Sequence, residues 1–138
     1  MAFRMRKPEG GENMMNNTDE LRDYVERLMR APEEGAFLIV SIAGSEDFVQ
    51  MIAGGEDVQI DLPLVTDRQR GFESKIRAAA SSEGLSIEEN EGDDGARFLD
   101  VYIEKDAERV TRVCRSFLRD VFGAGEDARL EFESDGLG

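Results

Sequence analysis

The stretch AFLIVSIAGSEDFVQMIAGGEDVQIDLPL, residues Ala36–Leu64, decides the fold, because it contains three strand-like segments joined by short turns. Ala36–Ile42 is a continuous apolar run rich in strand formers, which predicts a strand covered on both faces. Phe48–Ile52 predicts a second strand, and Asp57–Leu64 predicts a third. Turns this short join antiparallel neighbours, so the three strands are expected to form hairpins in one sheet.

The third strand alternates clearly between apolar and polar residues. Its inward residues are Val58, Ile60 and Leu62, and its outward residues are Gln59 and Asp61. Proline has no backbone N–H to donate, so Pro63 is expected to end the pairing of this strand.

Three helices are predicted around these strands. Thr18 or Asp19 can cap a first helix with an apolar side. The sequence TDRQ (Thr66–Gln69) is a capping-box pattern and opens a middle helix, for which Gly84 is a fitting C-terminal glycine. Asp106 is expected to cap a last helix whose apolar residues recur at spacings of three and four.

The second hairpin, LSIEENEGDDGARFLDVYI (Leu85–Ile103), has a register that follows from its apolar pattern. A two-residue turn would set the inward side of one strand against the outward side of the other. A three-residue loop, Asp93–Gly95, brings Leu85 opposite Ile103 and gives Gly95 the left-handed position of a bulge. A five-residue loop keeps the same register. This register places five residues on the face away from Leu99, Val101 and Ile103, namely Ser86, Glu88, Phe98, Asp100 and Tyr102.

One face of the sheet is therefore expected to carry more apolar surface than the helices can cover. Phe98 and Tyr102 are large for a fully wet face, and the first two strands carry apolar residues on both sides. We expect part of this face to be an interface, closed by a second copy or by a client protein. The alternative is that a helix or the tail covers it within the chain.

The order of elements predicts an α+β domain with a mostly antiparallel five-stranded sheet and three helices, in the order α-β-β-β-α-β-β-α. Residues 1–17 are expected to be a flexible N-terminal segment, residues 18–133 a single domain and residues 134–138 a flexible tail. The segment ARLEFES (Ala128–Ser134) is also compatible with a short terminal strand.

The composition argues against several kinds of chemistry. The chain has no histidine, which excludes Ser-His-Asp and Cys-His catalysis within one chain and histidine-ligated metals. Cys114 is the single cysteine and lies on the apolar side of the last helix, so a buried hydrophobic role is expected in a reducing cytoplasm. No nucleotide-binding fingerprint and no long apolar run is present. We therefore expect no enzymatic activity, no cofactor, no metal and no membrane segment.

The chain is strongly acidic, with a net charge of −14. This charge repels nucleic acid and anionic membranes, but it favours a second hypothesis, an acidic regulator or nucleic-acid mimic that binds a basic partner. Five carboxylates lie within Glu88–Asp94, yet an EF-hand fails because Val101 takes the place of the required glutamate. Glu88 and Asp100 face each other in the predicted register, so a cation site or a carboxylate-pair hydrolase there are further alternatives.

Three segments carry a resemblance to a known family: EGAFLIVSI (34–42), DFVQMIAGGEDVQIDLPL (47–64) and FLRDVFG (117–123). With the element order and the acidic pI of 4.4, they resemble the type III secretion chaperone fold and its broader relatives, the YbjN-like or TY-Chap domains of bacteria. The resemblance covers roughly residues 18–123.

The resemblance implies a small, cytoplasmic, non-enzymatic protein-binding domain that forms a homodimer and binds a client or effector protein. Two copies of such chaperones pair through the middle helix and nearby strands, which implies a partner or dimer interface at Phe72, Ile76, Phe98 and Tyr102. Client segments lie over the first helix and sheet, which implies an apolar client-binding surface at Leu21, Tyr24, Phe48 and Met51.

Overall fold

A computed structural model of the protein describes residues 17–138. In chain order the elements are α1 (Asn17–Met29), β1 (Phe37–Ile42), β2 (Phe48–Ala53), β3 (Asp57–Leu64), α2 (Asp67–Gly71), α3 (Glu73–Ser82), β4 (Glu88–Glu91), β5 (Arg97–Glu104), α4 (Ala107–Ser116), a π-helical turn (Phe117–Val121) and β6 (Leu130–Asp135). The α+β class is confirmed. The described residues form six strands and four α-helices, however, rather than five strands and three helices.

The additional helix arises because the predicted middle helix is divided at Phe72. The predicted capping box is confirmed, since the Gln69 N–H donates to the Thr66 hydroxyl and the Gln69 side chain accepts from the Thr66 N–H. Gly71, a weak helix former, then precedes the break, and α3 starts afresh at Glu73.

The six strands form one antiparallel sheet in the order β4-β5-β3-β2-β1-β6. The predicted hairpins β1-β2 and β2-β3 are confirmed. Pro63 does not end the pairing of β3 altogether. The pairing with β5 continues through Pro63 to Leu64, opposite Arg97, whereas the pairing with β2 stops at Asp61.

The predicted flexible tail at residues 134–138 is wrong. β6 pairs with β1 along its whole length and includes Ser134 and Asp135. Beyond it, the Gly138 N–H donates to the carbonyl oxygen of Arg27 at 2.9 Å, which fastens the C-terminus to α1. The prediction of a flexible segment at residues 1–17 lies outside the described residues, except for Asn17 in α1.

The helices cover one face of the sheet. Burial alternates residue by residue along β1, β2 and β3, and the buried rows join apolar side chains of α1, α3 and α4 in one core. Tyr24 of α1, for example, stacks on Phe132 of β6 with 4.4 Å between ring centroids. The prediction that β1 is covered on both faces is wrong, because Phe37 and Ile39 are only half-buried and lie outside that core.

The last helix forms as the sequence predicts. The Asp106 side chain accepts from the backbone N–H groups of Glu108 and Arg109 and so caps α4. Cys114 is fully buried on this helix, and burial raises the pKa of its thiol to about 12. The thiol therefore acts as a small hydrophobic group rather than as a nucleophile.

The β4-β5 hairpin has the predicted register, with Glu88 opposite Asp100 and Glu91 opposite Arg97. The Gly92 N–H donates to the Ala96 carbonyl at 2.7 Å, which closes the three-residue loop that ends at Gly95. The strand before the loop is shorter than expected, since β4 starts at Glu88. Leu85 and Ile87, predicted as inward strand residues, precede the strand and pack against the edge of the core.

An ion-pair network joins this acidic hairpin to α3. Arg97 contacts Glu73 at 2.9 Å and Glu89 at 2.7 Å, and Arg77 contacts the same two carboxylates at 2.9 and 3.0 Å. These hydrogen bonds to arginine lower the pKa of Glu73 and of Glu89. Through Glu89, the acidic stretch thus stabilises the contact between the hairpin and α3 on the helix-covered side of the sheet.

We predict that Gly95→Ala lowers the free energy of unfolding by about 1 kcal/mol, because Gly95 has φ +83°, a left-handed conformation that alanine adopts at a cost. A β-carbon at this position would meet no atom within 4 Å, so conformation alone sets the effect. Urea denaturation measures it.

Gly71→Ala is the matched control, because Gly71 also has open space but no positive φ. We expect this variant to be neutral or stabilising. Equal losses in both variants would show that the hairpin does not depend on the left-handed glycine.

Candidate binding face on the uncovered side of the sheet

The uncovered side of the sheet, here called the open face, carries the outward side chains of β1, β2, β3 and β5. Its members lie in three rows that cross the strands, as the register of the sheet defines them. The first row contains Phe37, Ile52, Gln59 and Tyr102, the middle row Ile39, Gln50, Asp61 and Asp100, and the third row Ser41, Phe48, Pro63 and Phe98. Two largely apolar rows therefore flank a row that ends in two carboxylates.

The apolar side chains of the open face do not pack against the core. Phe37, Ile39, Phe48, Ile52 and Phe98 are half-buried and belong neither to the core cluster nor to the residues packed against it. Tyr102 is 43% exposed, and among the described residues only Val65 is another large hydrophobic residue in the exposed class. Half-burial on an uncovered sheet comes from neighbouring side chains that shield one another. The face thus presents contiguous apolar surface.

Asp61 and Asp100 form an acidic pair at the centre of the open face. They are directly opposite each other on β3 and β5, and Asp100 is only 3% exposed. The Asn90 amide donates to Oδ2 of Asp100, whereas Oδ1 of both aspartates is buried without a hydrogen-bond donor among the described residues. Two like charges directly opposite each other are unfavourable in a partly buried site, and this favours the protonated form of Asp61.

The pKa of Asp61 reflects this arrangement. The pKa of Asp61 is raised from 3.8 to about 6. Burial is the largest cause, followed by the charge of Asp100 and by a hydrogen bond with Asp100. Glu88 lies beside the pair, opposite Asp100, and accepts a long hydrogen bond of 3.5 Å from the Tyr102 hydroxyl. Burial, followed by the charges of Glu88 and Asp100, raises the pKa of Tyr102. The centre of the open face is therefore an uncompensated negative region.

The sequence identified one half of the acidic pair. Glu88 and Asp100 face each other as predicted, but Asp61 also lies directly opposite Asp100, and Asp100 contributes to the raised pKa of Asp61. Asp61 was predicted to point outward from the third strand, and it does. Its partner could not be read from the sequence, because β3 and β5 are joined through two helices and β4, and no local pattern reports that they are neighbours.

The predicted client-binding surface is wrong at three of its four residues. Leu21, Tyr24 and Met51 are at most 1% exposed, because the apolar side of α1 and the inward side of β2 fill the core. Phe48, the fourth residue, lies on the open face and is half-buried. The usable apolar surface is the opposite side of the sheet from α1.

The predicted interface residues are not brought together. Ile76 is 2% exposed in the core, and Phe72 packs edge-on against Phe122 with ring centroids 5.0 Å apart. Phe72, directly before α3, and Ile76, within α3, lie on the helix-covered side of the sheet, whereas Phe98 and Tyr102 lie on the other side. The four residues therefore do not form one surface, and the prediction is wrong for Ile76 because its side chain is already buried within the chain.

Two further features of residues 17–138 concern metal binding and membrane crossing. No group of three or more histidine, cysteine, aspartate or glutamate side chains in this part of the chain could hold a metal ion. No helix in the same range is both long enough and apolar enough to cross a membrane.

Comparisons of the chain with models of protein families, with curated proteins and with solved structures find no match. The resemblance to secretion chaperones therefore remains a prediction, and the function of the chain is argued from the residues of the open face.

We predict that Asp61→Asn raises the free energy of unfolding by about 1–3 kcal/mol at pH 8, because it removes one charge of the acidic pair. Between about pH 4 and 6 the folded chain holds a proton that the unfolded chain has lost. Wild-type stability therefore falls as the pH rises through that window, and the penalty is complete above it. The gain from the substitution should vanish near pH 4, as denaturation over pH 4–8 would show.

Asp93→Asn serves as the control, because Asp93 is exposed in the hairpin turn and its substitution removes the same charge. We expect little change in the stability of this variant at any pH. A gain for Asp61→Asn that is independent of pH would contradict the raised pKa of Asp61.

Proposed function

We propose that this protein is a non-enzymatic, chaperone-like protein-binding domain that holds an extended segment of a client protein against its open face. The observation that carries the proposal is a set of six apolar side chains on β1, β2 and β5, on both sides of β3, that do not pack against the core: Phe37, Ile39, Phe48, Ile52, Phe98 and Tyr102. Contiguous apolar surface of this kind, with polar groups at its centre, is typical of protein interaction sites.

The edges of the sheet support the same function. Among the described residues the sheet ends in β4 on one side and β6 on the other, so each of these strands has an edge without a neighbouring strand. An extended segment can pair with such an edge through its backbone while its side chains reach the adjacent face. β6 is the longer edge, with six residues against four in β4, and is the better candidate for strand addition.

A client fits the centre of the open face better than a second copy does. In a symmetric dimer the same patch meets itself, so a dimer centred on this face would bring two acidic pairs together. Four neighbouring carboxylates, Asp61 and Asp100 from each copy, repel one another. The homodimer that the resemblance implies would therefore have to form through another surface, such as a sheet edge.

The cytoplasm is the compartment that we propose for this activity. The single cysteine, Cys114, is fully buried as a free thiol, which suits a reducing environment. The proposal shares this location and its lack of enzymatic activity with the secretion chaperones that the chain resembles.

A second candidate function is an acidic regulator that binds a basic partner surface. The observation that favours it is the ring of carboxylates around the open face, with Glu131, Glu133 and Asp135 on β6 and Glu88 and Glu104 on β4 and β5. Affinity that rests on these charges would collapse between low and high salt, whereas affinity for apolar side chains would largely survive.

The test is a selection of random peptides displayed on phage against the immobilised protein, followed by fluorescence anisotropy with the synthetic peptides. We predict that Phe98→Ser weakens their binding by about tenfold or more, because the substitution removes a large apolar contact from the face. Val65→Ser is the matched control, since Val65 is an exposed hydrophobic residue, 47% accessible, outside the three rows.

Val65→Ser should leave the affinity unchanged, and the circular dichroism of both variants should match that of the wild type. A selection that yields no peptides, or peptides whose affinity Phe98→Ser does not alter, would overturn the proposed function. Affinity that is lost on raising the salt concentration, and is insensitive to Phe98→Ser, would favour the acidic regulator instead.

A further inference from the structure

We propose that the acidic pair, Asp61 and Asp100, receives an arginine or lysine side chain from the bound client, and that the client segment therefore carries a basic residue between two apolar ones. This inference rests on the proposed function and adds to it the chemistry of the partner. It follows from four properties of the pair: its missing donors, its access from solvent, the absence of a cation nearby and the spacing of the apolar rows.

The pair lacks hydrogen-bond donors. Oδ1 of Asp61 and Oδ1 of Asp100 are both buried without a hydrogen-bond donor among residues 17–138. The Asp100 side chain cannot turn to water for a donor, because Asp100 is only 3% exposed. A buried carboxylate oxygen without a donor is costly, and two adjacent carboxylates repel each other. A guanidinium group supplies five N–H donors in a planar fork and can contact two carboxylates at once, while an ammonium group supplies three donors.

The pair is accessible from the solvent side through Asp61. Asn90 occupies Oδ2 of Asp100 from the β4 side, so Asp100 is closed there. Asp61 is only partly buried, and its Oδ1 has no hydrogen-bond partner within the described part of the chain. A cationic group that arrives over β3 would therefore meet Asp61 first, and its single positive charge would offset one of the two negative charges of the pair.

The described part of the chain supplies no cation to the pair. No arginine or lysine of residues 17–138 forms an ion pair with Asp61 or Asp100. Arg97 lies three residues before Asp100 on β5, but it contacts Glu73 and Glu89 on the helix-covered side. The groups beside the pair are the neutral Gln50 on β2 and Asn90 on β4, the acidic Glu88 on β4 and the hydroxyl of Tyr102 on β5.

The apolar rows lie at the spacing of an extended chain. Phe98 and Tyr102 are two residues before and two residues after Asp100 on the same strand, so each lies about 7 Å from the pair along the sheet. Side chains at alternate positions of an extended segment repeat at the same distance. A segment that runs along β5 would therefore place a basic residue over the pair and an apolar residue over each flanking row, in the order apolar-x-basic-x-apolar.

Binding of this kind should depend on pH. The client cation binds ionised Asp61, so a proton held by Asp61 must leave when the client binds. The pKa of Asp61, raised to about 6 by burial and by Asp100, sets the range in which this matters. Affinity should fall as the pH drops through about 6, because protonated Asp61 competes with the cation.

The experiment compares two phage-displayed peptide selections, one against the wild type and one against the double variant Asp61→Asn/Asp100→Asn. The wild type should enrich peptides with arginine or lysine between two apolar residues at alternate positions. The double variant should still enrich the apolar residues, because the flanking rows are intact, but should lose the preference for the basic residue. A control variant, Asp23→Asn/Asp93→Asn, removes the same charge at two exposed positions outside the three rows and should retain it.

The best peptide is then synthesised with arginine and with citrulline, its neutral isostere, at the central position. On the wild type at pH 7.5 we expect citrulline to weaken binding by about tenfold or more, which corresponds to a hydrogen-bonded charge pair. On the double variant the two peptides should differ by less than about twofold. The advantage of arginine over citrulline on the wild type should shrink at pH 5.

Equal binding of the two peptides to the wild type, with affinity still lost in Phe98→Ser, would overturn the inference and leave the proposed function standing. Peptides whose affinity Phe98→Ser does not change would overturn both. An arginine preference that persists in the double variant would assign the cation to another carboxylate and would likewise overturn the inference.

Discussion

The structure depends on the way in which the helices cover the sheet from one side only. Side chains alternate between the two faces of a strand, so every strand that buries one row must present the next row to the other face. α1, α3 and α4 pack together on the buried rows and leave the open face without a helix from the described residues. The half-buried phenylalanines and isoleucines of β1, β2 and β5 follow directly from this constraint.

The acidic pair is a second consequence of the same sheet. Asp61 and Asp100 are adjacent because β3 and β5 pair over eight positions, from Asp57 opposite Glu104 to Leu64 opposite Arg97. A pairing of that length, with one buried apolar row, specifies its register strongly, and a slip by one residue would expose that row. The sheet can therefore hold two carboxylates opposite each other even though the contact itself is unfavourable. A site whose own contact costs stability is consistent with a role in binding.

Several features of the fold and of the candidate site could be predicted because they are local. The Thr66 capping box, the Asp106 cap and the register of the β4-β5 hairpin depend on residues a few positions apart. From that register the sequence also placed Phe98 and Tyr102 on the uncovered face. The predictions failed where distant segments meet: Tyr24, expected on a client-binding surface, instead stacks in the core on β6, a strand that the predicted architecture did not include.

The sequence by itself determined the strands of the first hairpins, the turns between them, the helix caps and which residues of each strand share a face, because these depend on alternation and on short loops. It also determined the absence of histidine and the charge of −14. Only the tertiary structure decided that β5 lies beside β3 and that β6 lies beside β1. Those neighbours depend on which distant apolar faces are buried together, and it is that packing which places Asp61 against Asp100 between two apolar rows.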